Sequence, residues 1–175
     1  MKPTQLQKSE YAPFYQPYLD ALEENINMID EMEISLYNTI HFIQDIPMDK
    51  FDYRYAEGKW TIKEIIQHII DAERVFCYRA IRFSRNDKTA LPGYDENLFA
   101  DAVNPIANQR HLKDLLMELS AVRHATIALF KSFTPEDFLK IGVASEREMS
   151  VRAIGFIIIG HQNHHMRVFK QRYLD

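Results

Sequence analysis

The sequence predicts an all-α protein, a four-helix bundle, and three observations lead there. Apolar residues recur at helical spacing along four long stretches. No stretch alternates apolar and polar residues convincingly enough to make a strand. Only five glycines occur in 175 residues, few for an all-β chain or one built on glycine-rich loops. A helix with one apolar stripe must bury it against another element, and four such helices do so as a bundle. The length suits a single domain over 1–175, long enough to bury a core without help from a metal or disulfide.

The first helix is read from Tyr18 to Ile43, with Leu19, Leu22, Ile26, Ile29, Leu36, Ile40 and Ile43 on one side and Glu23, Glu24 and Glu31 on others. Pro47 in "DIPMDK" ends it. The second starts at "WTIKE", where Thr61 and Glu64 have capping-box spacing, and runs to about Asn86. Some twenty residues with two prolines and a glycine follow, "NDKTALPGYDENLFADAVNPIANQ". A structureless segment this long tends to be functional, and it can cross the length of a bundle. The third helix spans Gln109 to Phe133 on Leu112, Leu115, Leu116, Leu119, Val122, Leu129 and Phe130. Thr134 and Pro135 read as a cap and first residue of a short helical turn. Ser150 is the expected N-cap of the fourth helix, Val151 to Tyr173.

Composition narrows the function. A net charge of −4 gives no general attraction to phosphate backbones or anionic membranes, so neither nucleic acid nor membrane is an expected partner. The single Cys77 makes no intramolecular disulfide, and the polar start "MKPTQLQKSE" lacks a signal peptide; both point to the reducing cytoplasm. No apolar run reaches the roughly 18 residues of a membrane span. There is no G-x-S-x-G, no G-x-G-x-x-G and no P-loop, and Cys77 has no evident activating base.

The chemistry concentrates in "IGFIIIGHQNHHMRVFKQRYL". At about 100° per residue, His161 and His165 fall near the middle of the apolar arc formed by Ile154, Ile157, Ile158, Val168 and Phe169. His164 falls at its margin. Imidazoles one turn apart can hold one ion. His68, beside the apolar face of the second helix, is the best third ligand, with Glu64 and Asp71 as candidates to orient an imidazole. The rival reading is a hydrogen-bonded polar layer in the core. A zincin protease needs Glu after its first His, where this chain has Gln162. A ferritin-like di-iron site needs Glu-x-x-His on two helices, a pattern the chain lacks.

Three segments taken together, "KWTIKEIIQHIIDAERVFCYRAIRFSRNDKTALPGYDE", "AVRHATIALF" and "SVRAIGFIIIGHQNHHMRVFKQRYL", resemble the DinB-like (YfiT-like) superfamily of metal-dependent enzymes. The resemblance runs from about Tyr53 to Tyr173. It implies an up-down-down-up bundle with a long crossover between the second and third helices. It also implies a divalent metal, usually zinc or nickel, on His68, His161 and His165, and a homodimer. The superfamily's activities divide between hydrolysis and group transfer using a low-molecular-weight thiol.

Three neutral imidazoles would leave the ion's charge uncompensated and a position open for an activated water or a thiolate. A metal-dependent hydrolase acting on a small molecule is the first expectation. The alternatives are a thiol S-transferase and a non-catalytic, stress-associated bundle protein. The "LPGYDE" segment is placed to bring Tyr94, Asp95 or Glu96 to the pocket, and Arg79, Arg82 or Arg123 to hold a substrate anion.

Overall fold

Side-chain caps set where most of the long helices begin in the computed structural model, which describes residues 1–174. The elements are α1 (Gln16–Leu19), α2 (Met28–Gln44), α3 (Ile62–Ser84), α4 (Glu96–Gln109), α5 (Leu112–Lys131), α6 (Pro135–Leu139), a hairpin of β1 (Ile141–Ala144) and β2 (Arg147–Ser150), and α7 (Val151–Val168). Thr61 and Glu64 form the capping box of α3. Thr134 caps α6 with Pro135 at its first position. The Ser150 side chain accepts from the Ala153 amide and starts α7.

The bundle consists of α2, α3, α5 and α7. Both α5 and α7 pack against α2 and against α3. Cross-helix bonds give the directions. Arg74 meets Glu118, and Cys77 meets Thr126, so α3 and α5 run parallel. Gln162 reaches Ser35 and Thr39 while Gly155 abuts Met28, so α2 and α7 run parallel. Lys131 at the end of α5 pairs with Glu33 in the first half of α2, while Leu112 and Leu116 at the start of α5 share a cavity with Ile40 and Gln44 at the end of α2, which makes α2 and α5 antiparallel. The path is therefore up-down-down-up, with residues 85–111 crossing the bundle. Among the described residues no helix is long and apolar enough to cross a membrane.

Two apolar clusters fill the interior. One gathers Met28, Phe130, Phe156 and Ile157; the other gathers Ile43, Ile62, Leu115 and Phe169. A polar layer separates them. Arg123, fully buried, donates to both carboxylate oxygens of Glu73 at 2.8 and 2.9 Å, to the Met32 carbonyl, to Ser35 Oγ and to Gln162 Oε1 at 2.7 Å. These five bonds match the five N–H groups of a guanidinium. Gln162 Nε2 in turn donates to the Ser35 carbonyl and Thr39 Oγ1. All four bundle helices are thus tied at one level. Arg123 is a structural residue here, not an anion site for substrate.

Four elements differ from the sequence expectation. The first helix does not run from Tyr18; residues 20–27 break it, and α2 starts at Met28 because Asn27 accepts from the Ile29 amide. Leu19 and Leu22 are still buried, so tertiary packing of an irregular segment produced the helical-looking spacing. The crossover is not structureless: α4 forms despite an internal Pro105. Asp95 caps its start, and Asn108 at its end donates to Glu64 and accepts from Thr61, anchoring it to α3. The hairpin was hidden because its strands have four residues each and its turn uses Ser145 and Glu146 at φ 52 and 62, without the usual glycine or asparagine. Gly142 is needed on β1, where a Cβ would lie 2.0 Å from the Phe83 ring. Finally, α7 ends at Val168 and the chain widens into a π-helical turn, Phe169–Leu174.

Candidate metal centre

His68 stands two turns into α3, its position fixed by the capping box at Thr61. His161 and His165 stand one turn apart on α7, and the buried bonds of Gln162 fix that helix's rotation. The structure brings the three imidazoles together. Nε2 of His161 lies 3.0 Å from Nε2 of His68 and 3.1 Å from Nε2 of His165. All three ligand atoms lie within 4.8 Å of one another, with no carboxylate in the group.

That geometry fits a cation better than a hydrogen-bond network. A ring nitrogen offers one N–H or one lone pair, so His161 Nε2 cannot satisfy both of its neighbours. Three lone pairs directed at a shared cation remove that conflict. His165 Nδ1 is buried without a partner, so no carboxylate or carbonyl orients that ring. Glu64 and Asp71, expected as orienting groups, do not bond the imidazoles. Glu64 is held by Arg54, the Thr61 amide and Asn108, and Asp71 accepts from Gln67 and Arg74. Rings do this work instead. Trp60 lies 5.0 Å from the His68 ring, and Tyr18 lies 5.6 Å from His161 and 5.2 Å from His164.

Tyr18 reaches that place because of Gly160. A Cβ there would lie 2.4 Å from the Tyr18 carbonyl oxygen, a backbone atom with little freedom to yield. Gly160→Ala is expected to push α1 off α7 and to cost about 1–3 kcal/mol. Faster proteolysis within residues 1–27, with α3 and α5 still protected, is the outcome to measure.

Burial holds the imidazoles neutral. It lowers His68 from 6.5 to about 4 and His161 to about 3, with the neighbouring histidines adding to the effect at His161. Burial also takes His165 well below its ordinary value. In the metal-free protein the unfolded chain therefore binds more protons than the fold between about pH 6.5 and 4. Stability rises with pH across that window and falls on acidification, by up to about 1.4 kcal/mol per pH unit for each such imidazole. Thermal midpoints of metal-free protein from pH 7.5 to 4.5 should drop, and His161→Asn should flatten the slope. An unchanged slope in that variant would contradict the assignment.

The other expected residues distribute unevenly. Half-buried His164 lies beside the three imidazoles and lines a cavity with His165. Tyr94 borders a narrow cleft with His68 and Asp71, and burial pushes its phenol up to about 12, with the Glu96 carboxylate adding to the shift. Asp95 is spent on capping α4. Burial raises the Tyr15 and Tyr18 phenols, the Glu96 carboxylate adds to both shifts, and Glu96 is not part of the imidazole cluster. Arg79 is buried and donates to Ser145 Oγ, and Arg82 pairs with Asp87. Burial raises the Cys77 thiol to about 11, which leaves it unreactive. Sequence reasoning missed Tyr18, Trp60 and Tyr173 as site residues. Trp60 was visible in "KWTIKE", where it marked a helix start and part of the family resemblance but was not assigned to the site.

Three converging histidines on two antiparallel helices of an up-down-down-up bundle define an all-α protein with a histidine-only candidate metal centre. The chain belongs to the DinB superfamily, whose family model matches residues 31–169. Its fold is similar to that of YfiT from Bacillus subtilis, described as a probable metal-dependent hydrolase with an unusual four-helix bundle topology. The two chains are 16% identical, the match covers 93% of this chain and 91% of that one, and the TM-score is 0.74. At that identity the likeness establishes the fold. No curated protein matches the chain. Tyr18 lies before the family match begins, so a segment outside it contributes a ring to one side of the centre.

Proposed function

We propose that this protein is a metal-dependent hydrolase whose ion is held by His68, His161 and His165. The observation that carries the reading is the approach of three imidazole nitrogens to within 4.8 Å of one another beside a cavity that His165 also lines. YfiT's description as a probable metal-dependent hydrolase points the same way. When bound, a divalent cation supplies polarisation of a carbonyl and acidification of water toward neutrality. Zinc and nickel both suit imidazole donors.

The chain's own residues supply the rest. The imidazoles carry no charge to offset the ion's. Trp60 packs against His68 and Tyr18 against His161. The Glu73–Arg123–Gln162 layer holds α7 in the rotation that turns His161 and His165 toward α3.

The test compares metal-loaded with chelator-stripped protein on a panel of small esters and amides, with and without several low-molecular-weight thiols. Metal-dependent, thiol-independent turnover is expected. Turnover that requires a thiol and releases no hydrolysis product would assign the thiol transferase activity instead.

A further inference from the structure

The candidate centre has two flanks of very different size. Between α3 and α4, the cleft lined by His68, Asp71 and Tyr94 has about 10 Å³ of space, room for no more than about one water. On the side of His164 and His165 lies a cavity of about 260 Å³. Of these two flanks, only the second has room for an organic group to approach the imidazoles.

The wall of that cavity describes what fits. Tyr55, Trp60, Ile65, Val168 and Tyr173 make it aromatic and apolar. The rings are fixed before any ligand arrives: Tyr173 donates its hydroxyl to the Trp60 carbonyl and meets Tyr55 edge-on at 5.2 Å. Small-molecule sites are commonly about 300–1,000 Å³, so this one admits a single ring or a short branched chain with a polar head. The charge is one-sided. Among the described residues Lys59 lines the cavity and no carboxylate does, which favours a neutral or anionic ligand over a cationic one.

Resting on the hydrolase reading, we propose that the substrate is a small carbonyl compound with one aromatic ring or a branched alkyl group of similar size. It is neutral or anionic and seats its apolar part in the slot between Trp60, Val168 and Tyr173. The carbonyl then faces His165, and Lys59 meets an anionic substituent at the rim.

Calorimetric titration with phenylacetate, acetate and phenethylamine tests this without knowledge of the substrate, on metal-loaded and on metal-free protein. Phenylacetate is expected to bind about ten-fold more tightly than either comparison compound. Val168→Trp, which fills the slot, and Lys59→Glu, an exposed change that leaves the core intact, should each weaken it about ten-fold at unchanged metal per chain. Acetate binding as well as phenylacetate would overturn the apolar slot. Phenethylamine binding as well as phenylacetate would overturn the charge preference, as would indifference to Lys59→Glu. Protein that takes up no metal sinks the hydrolase reading; the slot is then judged by the same ratios on the metal-free protein.

Discussion

His161→Ala and His165→Ala are expected to abolish stoichiometric uptake of zinc or nickel, while His164→Ala keeps it. Residues that only orient a metal ligand are worth about 10–100-fold in affinity, so loss of a ligand itself should exceed that range. The three histidines sit within five positions, and the fold treats them differently. His161 and His165 point their Nε2 atoms at each other and at His68 across the helix pair, at 3.0 and 3.1 Å around His161. His164 turns toward Tyr18 and the cavity, outside the cluster. Elemental analysis of untagged protein, with a chelator competition for each variant, measures the effect. Equal loss in all three variants would place the ion elsewhere.

Arg123→Ala should be the most destabilising single change to the fold, by about 3–5 kcal/mol, because it leaves the Glu73 carboxylate buried without its cation. The same truncation strips partners from Gln162, Ser35 and the Met32 carbonyl. For a chain of this size the thermal midpoint should fall by roughly 6–20 °C. Replacing Glu73 and Arg123 together by leucine removes the orphaned charge and should recover part of the loss. Metal uptake separates two roles. If the polar layer sets the rotation of α7, the double variant binds metal more weakly than its recovered stability would suggest. Wild-type affinity in that variant would show the layer to be structural only.

Capping and periodicity were legible because they are local. Thr61 with Glu64, Thr134 with Pro135 and Ser150 each satisfy amides a few residues away, and all three mark helix starts in the structure. The inward pair His161 and His165 could be read from a turn's geometry alone. The segment around Leu22 could not, because an irregular chain can bury the same side chains as a helix. The α4 helix was obscured by Pro105, whose local cost is offset by Asn108 bonding to α3 from far along the chain. Glu64 was legible as a cap. Its removal from the histidines was not, since that follows from Arg54 and Asn108, which no spacing rule connects to it.

By itself the sequence determined the presence of four amphipathic helices, the caps at Thr61 and Ser150 and the face on which His161 and His165 stand, since these depend on contacts within a turn or two. The tertiary structure decided that His68 meets the α7 pair, that Arg123 closes a polar layer, and that rings from residues 18, 60 and 173 surround the site. Those outcomes depend on side chains brought together from distant positions, and such pairings leave no periodic trace in a single chain.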